Sequence, residues 1–120
     1  MFSPDDPPAV DGLECSPSEH APRPYVEPST RAFRGAVSLF KALSDEQRLR
    51  TLEFLSQGEA CASEIAAQFD EPLSTVSHRM KLLEQAGLVA RRKDGRHVHF
   101  SLLDEHVLHL VRDALDHAME

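Results

Sequence analysis

The sequence contains little cysteine, no tryptophan and no long apolar run. Two cysteines, Cys15 and Cys61, among 120 residues are too few for a disulfide framework. Free thiols are typical of the reducing cytosol, so we expect a cytoplasmic protein. No apolar run approaches the ~18 residues of a membrane span, and no charged-then-apolar leader resembles a signal peptide. We therefore expect no membrane partner.

Acidic residues outnumber basic ones and give a net charge of −7, which is unusual for a protein that binds nucleic acid. The basic residues, however, are concentrated in one segment. Residues 73–100 contain six basic and two acidic residues, whereas residues 1–30, 31–72 and 101–120 carry net charges of −5, −2 and −4. A single basic segment within an acidic chain is a better guide to binding partners than the total charge.

Proline is nearly absent beyond residue 28, and this divides the chain into two parts. Residues 1–28 contain seven of the eight prolines and little apolar periodicity, so we predict an extended or disordered N-terminal arm. Residues 29–120 form the predicted domain. Its first helix should cover residues 30–42, because apolar residues recur there at helical spacing, namely Phe33, Val37, Phe40 and Leu43.

Three further helices are predicted between residues 44 and 87. The first begins at Ser44, which has Gln47 at capping-box spacing, and ends at Gly58. Residues 61–68 and a helix with Pro72 in its first turn then form a helix–turn–helix, because "FDEP" interrupts the helical pattern. The predicted buried positions of these three helices are Leu49, Leu52, Leu55, Ala62, Ile65, Ala66, Leu73, Val76, Met80 and Leu83.

The residues after Gly87 change from a helical to an alternating pattern. Val98 and Phe100 alternate with two histidines, and Asp94-Gly95 is a strong signal for a tight hairpin. A final amphipathic helix follows within residues 102–120. The predicted fold is therefore mainly α (α+β), a winged helix–turn–helix with the element order α-α-α-α-β-β-α.

The basic segment coincides with the second helix of the helix–turn–helix and with the hairpin. A recognition helix needs short hydrogen-bonding side chains to reach base edges, and nearby cations to hold phosphates. An ordinary hairpin with solvated charges is the alternative, but the helix–turn–helix directly before it favours double-stranded DNA as the partner. The predicted base contacts are Ser74, Thr75, Ser77, His78 and Arg79, and the predicted phosphate contacts are Lys81, Arg91, Arg92, Lys93 and Arg96.

The last helix carries several side chains that can bind metals, among them Asp104, His106, His117 and Glu120. One interpretation is a solvated polar face, and the other is a metal site. His106 and His117 would lie about 16 Å apart along one helix. Zinc ligands must all lie about 2 Å from one ion. One copy of this helix therefore cannot close such a site.

These segments together resemble the ArsR/SmtB family of bacterial metal-responsive repressors, from about Phe33 to Glu120. The resemblance rests on "ALSDEQRLRTLEFL", "GEACASEIA", "STVSHRMKLLEQAGLV", "RRKDGRHVHFSL" and "DEHVLHLVRDALDHAME". It is strongest to the zinc-sensing branch, because Asp-x-His followed ten residues later by His-x-x-Glu matches that branch's final-helix pattern.

The resemblance implies a homodimer that pairs through its first and last helices. With antiparallel final helices, Asp104 and His106 of one chain would meet His117 and Glu120 of the other, and would form two sites for zinc, or for cobalt or cadmium in its place. The metal-free dimer would bind an inverted-repeat operator, and zinc would release it to express metal efflux or sequestration genes. Four protein ligands leave no open coordination position, so we expect neither an enzyme nor a small-molecule substrate.

The same resemblance implies a second metal site, with a poorer match. It would combine Cys15 and His20 of the arm with Cys61 and Glu64 on the helix before the recognition helix. Glu64 stands where aspartate is usual, and Ser63 replaces the second cysteine of the family's arsenic, lead or cadmium pattern. Two alternatives within the fold are therefore a thiol sensor that forms a disulfide between the two cysteines, and a cadmium or lead sensor that uses this site.

Overall fold

The computed structural model describes residues 15–120, and residues 1–14 of the predicted arm lie outside that range. Residues 21–29 are exposed and have no regular secondary structure, and one 3₁₀ turn precedes them at Pro17–Glu19. The remaining elements are α1 (Thr30–Leu43), α2 (Glu46–Ser56), β1 (Ala60–Cys61), α3 (Ala62–Phe69), α4 (Leu73–Gln85), β2 (Val89–Asp94), β3 (His97–Leu102) and α5 (Glu105–Ala118).

The order of these elements confirms the predicted winged helix–turn–helix. α3 and α4 are the helix–turn–helix pair, and β2 and β3 form the wing. The structure adds β1, which pairs with β3 so that the antiparallel sheet has the order β1-β3-β2. The sequence did not reveal β1 because two residues are too few to show an alternating pattern.

Two hydroxyl or carboxylate caps fix where the first two helices begin. Ser29 caps α1 by accepting a hydrogen bond from the Ala32 amide at 3.1 Å. The prediction that Ser44 caps α2 is wrong, because Ser44 ends α1 and donates its hydroxyl to the Lys41 carbonyl. Asp45 caps α2 instead, and its carboxylate accepts from the Arg48 amide at 2.9 Å. A negatively charged cap is also favoured by the positive end of the helix dipole.

The hydrophobic core lies where α2, α3, α4 and α5 meet the sheet. Most of the predicted core positions are buried, but Leu73 is 53% exposed, so that part of the prediction is wrong. Leu73 is the first residue of α4, and the buried stripe of that helix begins one turn later. The core residues are Leu52, Leu55, Ala60, Ile65, Val76, Met80, Leu83, Leu88, Val89, Phe100, Val107 and Val111.

One apolar face of α1 remains uncovered within a single chain. Phe33, Val37 and Phe40 are each about half exposed, at 46%, 52% and 58%. Their spacing places them on one side of the helix, while Leu39, Ala42 and Leu43 pack towards the core from the other side. Large apolar side chains grouped in this way are typical of a surface that another protein covers.

The wing is a tight hairpin, as predicted. Asp94 pairs with His97 at its end, so only Gly95 and Arg96 connect the strands. Gly95 has φ +62°, a conformation that the two-residue turn requires and that glycine adopts without strain. The turn therefore holds Lys93 and Arg96 at the tip of the wing.

Candidate functional site

The outward face of α4 carries the side chains predicted to contact DNA bases. Pro72 precedes the helix, and its carbonyl accepts hydrogen bonds from the Thr75 and Val76 amides. Four short polar side chains lie exposed in the first two turns, and a lysine follows on the next turn. These exposed residues are Ser74, Thr75, Ser77, His78 and Lys81.

Arg79, although predicted as a base contact, does not lie on that face because it is buried. Its side chain is 9% exposed and donates to both carboxylate oxygens of Glu71, with Nη1–Oε1 at 3.0 Å. The same Nη1 also donates to the Thr51 hydroxyl at 3.2 Å. Arg79 lies three residues after Val76 and one before Met80, which places it on the buried stripe of the helix.

The wing carries four exposed cations, of which one is already paired. Arg92 donates to Glu59 with Nη2–Oε1 at 2.5 Å, and Asp94 lies 3.9 Å from its other terminal nitrogen. The hydrogen bond from Arg92 lowers the pKa of the Glu59 carboxyl. In residues 15–120, no carboxylate lies within 4.0 Å of the other three cations, which are Arg91, Lys93 and Arg96.

A groove of about 540 Å³ joins the recognition helix to the base of the wing. Ser77 and Lys81 line it from α4, and Arg91 lines it from β2. Val98 and Phe100 provide its floor from β3. The groove therefore places two cations, Lys81 of α4 and Arg91 of the wing, on one surface with Ser77, although Glu84 also lines it.

The first predicted metal-ligand pair lies at the start of α5. Asp104 caps the helix with Oδ1, which accepts from the Val107 amide at 3.1 Å. Its second oxygen, Oδ2, faces His106 Nδ1 at 3.6 Å. The His106 side chain is 99% exposed, so nothing within residues 15–120 packs against it. One carboxylate oxygen and one imidazole therefore point together into solvent.

The second predicted pair lies at the other end of the same helix. His117 Nδ1 is 3.5 Å from Glu120 Oε2, and both side chains are largely exposed. Each end of α5 thus presents one imidazole and one carboxylate. Eleven residues separate the two histidines, which corresponds to roughly 16 Å on a continuous helix. The structure brings together the two members of each pair, but a single chain does not bring the two pairs together.

The residues of the second predicted site form two groups. In the arm, His20 Nε2 lies 3.2 Å from Cys15 Sγ, and with Glu19 their ligand atoms all lie within 4.8 Å of one another. Glu64 lies at the start of α3, where it accepts from the Cys61 amide at 3.1 Å, which lowers its pKa. Among residues 15–120, the arm group is the only such cluster of three potential ligands.

Comparison with known proteins decides the family. A helix-turn-helix domain model matches residues 43–92. A transcriptional repressor SmtB homolog from Synechocystis sp. is 41% identical over 98 residues, covering 79% of this chain and 74% of the relative. The chain belongs to the ArsR/SmtB family of metal-responsive repressors. A cadmium resistance regulatory protein CadC homolog from Staphylococcus aureus is also 41% identical, over 70% of each chain.

A solved structure matches the ArsR/SmtB fold of this chain. The homodimeric winged helix-turn-helix DNA-binding domain, residues 1–100, of a Mycobacterium bovis protein superimposes with a TM-score of 0.72 and 28% identity. The match covers 80% of this chain and 92% of that one. As an ArsR/SmtB protein, the chain is a DNA-binding transcriptional regulator and not an enzyme. Within the described part, no helix is long and apolar enough to cross a membrane.

Three carboxylates of this ArsR/SmtB chain escaped the sequence analysis. Glu19 joins the arm cluster, and its position directly before His20 and four residues after Cys15 was the available signal. Glu71 pairs with Arg79, and the signal was an arginine on the apolar stripe of α4. Glu59 pairs with Arg92 across 33 residues, and no local pattern reveals a contact of that kind.

Proposed function

We propose that this chain is a zinc-responsive transcriptional repressor of the cytoplasm. The metal-free homodimer binds an inverted-repeat operator, and zinc at sites shared between the two final helices releases the DNA and allows expression of metal efflux or sequestration genes. The single observation that carries the proposal is the matched arrangement at the two ends of α5, where Asp104–His106 and His117–Glu120 each point an imidazole and a carboxylate into solvent.

The exposed apolar face of α1 supports the homodimer. Phe33, Val37 and Phe40 form an exposed apolar face on α1. A second copy of the chain supplies the same face, so a twofold contact buries both at once. A dimer that also pairs the two α5 helices in antiparallel orientation brings His106 of one protomer near His117 of its partner.

The donor atoms of α5 fit zinc. Two imidazole nitrogens and two carboxylate oxygens make a four-ligand set without thiolate, which suits zinc or cobalt better than thiol-seeking metals. A bound ion would supply a cross-link between the two final helices. Asp104 is prepared for this role because Oδ1 already holds the helix cap, while Oδ2 remains directed towards His106.

Zinc must release DNA by changing the geometry of the dimer, since adding positive charge would by itself strengthen DNA binding. From the resemblance to the zinc-sensing branch, we propose that His117 couples α5 to the recognition helix. Its Nδ1 lies 3.5 Å from Glu120 Oε2, and the resemblance implies that Nε2, on the other side of the ring, would donate to a backbone carbonyl near Gly87, just beyond α4. Such contacts from a ligating histidine are a common link between a metal and its protein.

Zinc-driven release of a fluorescein-labelled DNA duplex tests the proposal. This duplex, called the selected duplex, is first obtained from a random-sequence pool by binding to the unaltered protein. Asp104→Asn keeps a good helix cap but removes the anionic ligand. The zinc concentration for half-release should rise at least roughly tenfold. His109→Gln alters an exposed histidine of the same helix and serves as the matched control. Equal zinc dependence in Asp104→Asn and the unaltered protein would contradict the proposal.

The role of His117 is separated by a second variant in the same assay. Asparagine keeps a side-chain oxygen donor but has no second ring nitrogen, so His117→Asn should retain much of the zinc binding and lose zinc-driven release. Normal release of the selected duplex from this variant would show that the coupling does not pass through His117.

The arm cluster supports a second candidate function in the same fold. Cys15, Glu19 and His20 already lie within ligand distance of one another. A thiolate donor favours softer metals such as cadmium, and the similar Staphylococcus aureus protein is named for cadmium resistance. In this alternative the arm cluster, with Cys61 and Glu64, senses cadmium or lead, or the two thiols respond to oxidants.

A further inference from the structure

The buried side chain of Arg79 connects three elements of the domain. Its guanidinium donates to both Glu71 oxygens in the turn between α3 and α4, and to the Thr51 hydroxyl on α2. Thr51 is fully buried and donates to the Gln47 carbonyl at 2.7 Å. Arg79 itself belongs to α4. One planar side chain therefore ties the recognition helix to both the turn and the helix beneath it.

The turn that holds Glu71 is itself fixed to α3. The Glu71 amide donates to the Ala66 carbonyl at 3.0 Å, and Asp70 before it adopts the left-handed conformation with φ +51° that ends the helix. The Glu71 side chain is only 16% exposed. Hydrogen bonds from Arg79 lower the pKa of this carboxyl, so it remains charged and paired at neutral pH. The contact is thus a buried, two-pronged ion pair on a rigid turn.

We infer that Glu71 and Arg79 are positioning residues that set how α4 presents its exposed polar side chains to base edges, and thereby determine sequence specificity. The base-reading candidates Ser74, Thr75, Ser77 and His78 all lie between these two positions in the chain. The ion pair between Glu71 and Arg79 therefore joins the two ends of that segment. A small rotation of α4 about its axis would move all four side chains relative to the groove.

Two simpler explanations make different predictions. If Arg79 held a phosphate, Arg79→Lys would keep that contact, and Glu71→Gln would free the guanidinium and strengthen binding to every DNA sequence with a steeper salt slope. If the pair only stabilised the fold, a folded variant would discriminate between DNA sequences as well as the unaltered protein does. Glu71 gives a third contrast, because removing an acid near DNA should strengthen binding if charge alone mattered.

The experiment measures the affinity of the metal-free full-length chain for the selected duplex and for a scrambled duplex of the same length. The variants are Glu71→Gln, Arg79→Lys and the double variant. Lysine keeps the charge of Arg79 but cannot make the two-pronged contact. The matched control is Glu46→Gln, which removes an acid that is 80% exposed on α2. Circular dichroism and sedimentation at the assay temperature establish that each variant is folded and dimeric.

The ratio of the affinity for the selected duplex to the affinity for the scrambled duplex should fall at least about fivefold in each single variant. A fall of this size is equivalent to the loss of one base contact. The affinity ratio of the double variant should be no lower than that of the worse single variant, because both changes break the same contact. Binding of Glu71→Gln to the selected duplex should weaken despite the lost negative charge, with an unchanged salt slope. The ratio for Glu46→Gln should equal that of the unaltered chain.

An unchanged ratio in folded Glu71→Gln and Arg79→Lys would overturn the inference, as would equally tighter binding of Glu71→Gln to both duplexes with a steeper salt slope. The inference rests on the DNA binding in the proposed function and not on zinc. If the unaltered chain enriched no duplex from the pool, both the proposed function and this inference would be overturned. If the unaltered chain discriminated between the duplexes and the variants had the same affinity ratio, only this inference would be overturned.

Discussion

Among single residues of the wing, Arg92 differs from the other cations because Glu59 and Asp94 already hold it. A DNA phosphate that approaches Arg92 must compete with the Glu59 carboxylate for the same guanidinium nitrogens. Arg91, Lys93 and Arg96 are exposed and face no such competitor within 4.0 Å in residues 15–120. The four cations of the wing should therefore contribute unequally to DNA affinity.

Glu59→Gln should strengthen DNA binding, because it frees Arg92 and removes a negative charge from the binding face. The expected gain is roughly two- to fivefold on both the selected and a scrambled duplex, as exposed ion pairs are weak. Fluorescence anisotropy at several salt concentrations measures it, and the salt slope should steepen by up to about 0.9 as Arg92 takes a phosphate. Weaker binding would mean that Glu59 orients Arg92 for DNA instead of competing with it.

At the scale of elements, α4 has two faces with different tasks. The exposed face presents short polar side chains in its first two turns, and the opposite face buries Val76, Met80 and Leu83. Arg79 belongs to the buried face, although its charge suggests the exposed one. The recognition helix is therefore held by one ion pair as well as by apolar packing, and its orientation depends on the turn before it.

Most helices were predictable because their apolar residues recur with helical spacing over three or four turns. The hairpin was predictable from Asp94-Gly95 and the alternation that follows. The start of α2 was assigned to Ser44, although Asp45 caps it, because adjacent polar residues are both good caps. Leu73 was wrongly predicted to be buried, because periodicity gives the direction of a side chain but not the turn at which packing begins. Arg79 was wrongly placed on the exposed face, because periodicity does not show which charged side chain has a buried partner.

The exposed face of α1 is the element on which dimerisation depends. Phe40→Glu should raise the dimer dissociation constant at least about 100-fold, since each dimer loses two phenylalanines that would otherwise be buried. Sedimentation velocity measures this change. Affinity for the selected duplex should fall with it, because one half-site then binds alone.

Arg31→Gln lowers the charge of α1 by the same one unit at an exposed residue that does not line the surface around Phe33 and Val37, and should leave the dimer intact. A dimeric Phe40→Glu protein would show that the two chains meet through another surface.

On the scale of the whole molecule, charge and symmetry together shape the function. The chain carries a net charge of −7, yet residues 73–100, which hold the recognition helix and wing, contain six basic and only two acidic residues. Residues 1–30 and 101–120 carry net charges of −5 and −4 and repel DNA, whereas the recognition helix and wing attract it. In the proposed function, twofold symmetry would complete the metal site, because each chain offers one imidazole and one carboxylate at each end of α5.

The proposed ligand residues could be identified in the sequence only through resemblance to a family. Geometry within one chain argued against the site, since roughly 16 Å separates the two histidines. The structure of one chain keeps them on opposite ends of the same helix. Completion of the proposed site would be a property of the dimer, which no periodicity or local spacing within one chain encodes.

The central claim, that α5 and not the cysteines holds the sensed metal, is tested most directly by a competitive zinc titration of the dimer against a chromophoric chelator. The titration is made before and after both cysteines, Cys15 and Cys61, are alkylated. The account predicts tight binding of two zinc ions per dimer that survives alkylation. Zinc binding abolished by alkylation would contradict it, place the site on the cysteines, and leave α5 as a polar dimer face.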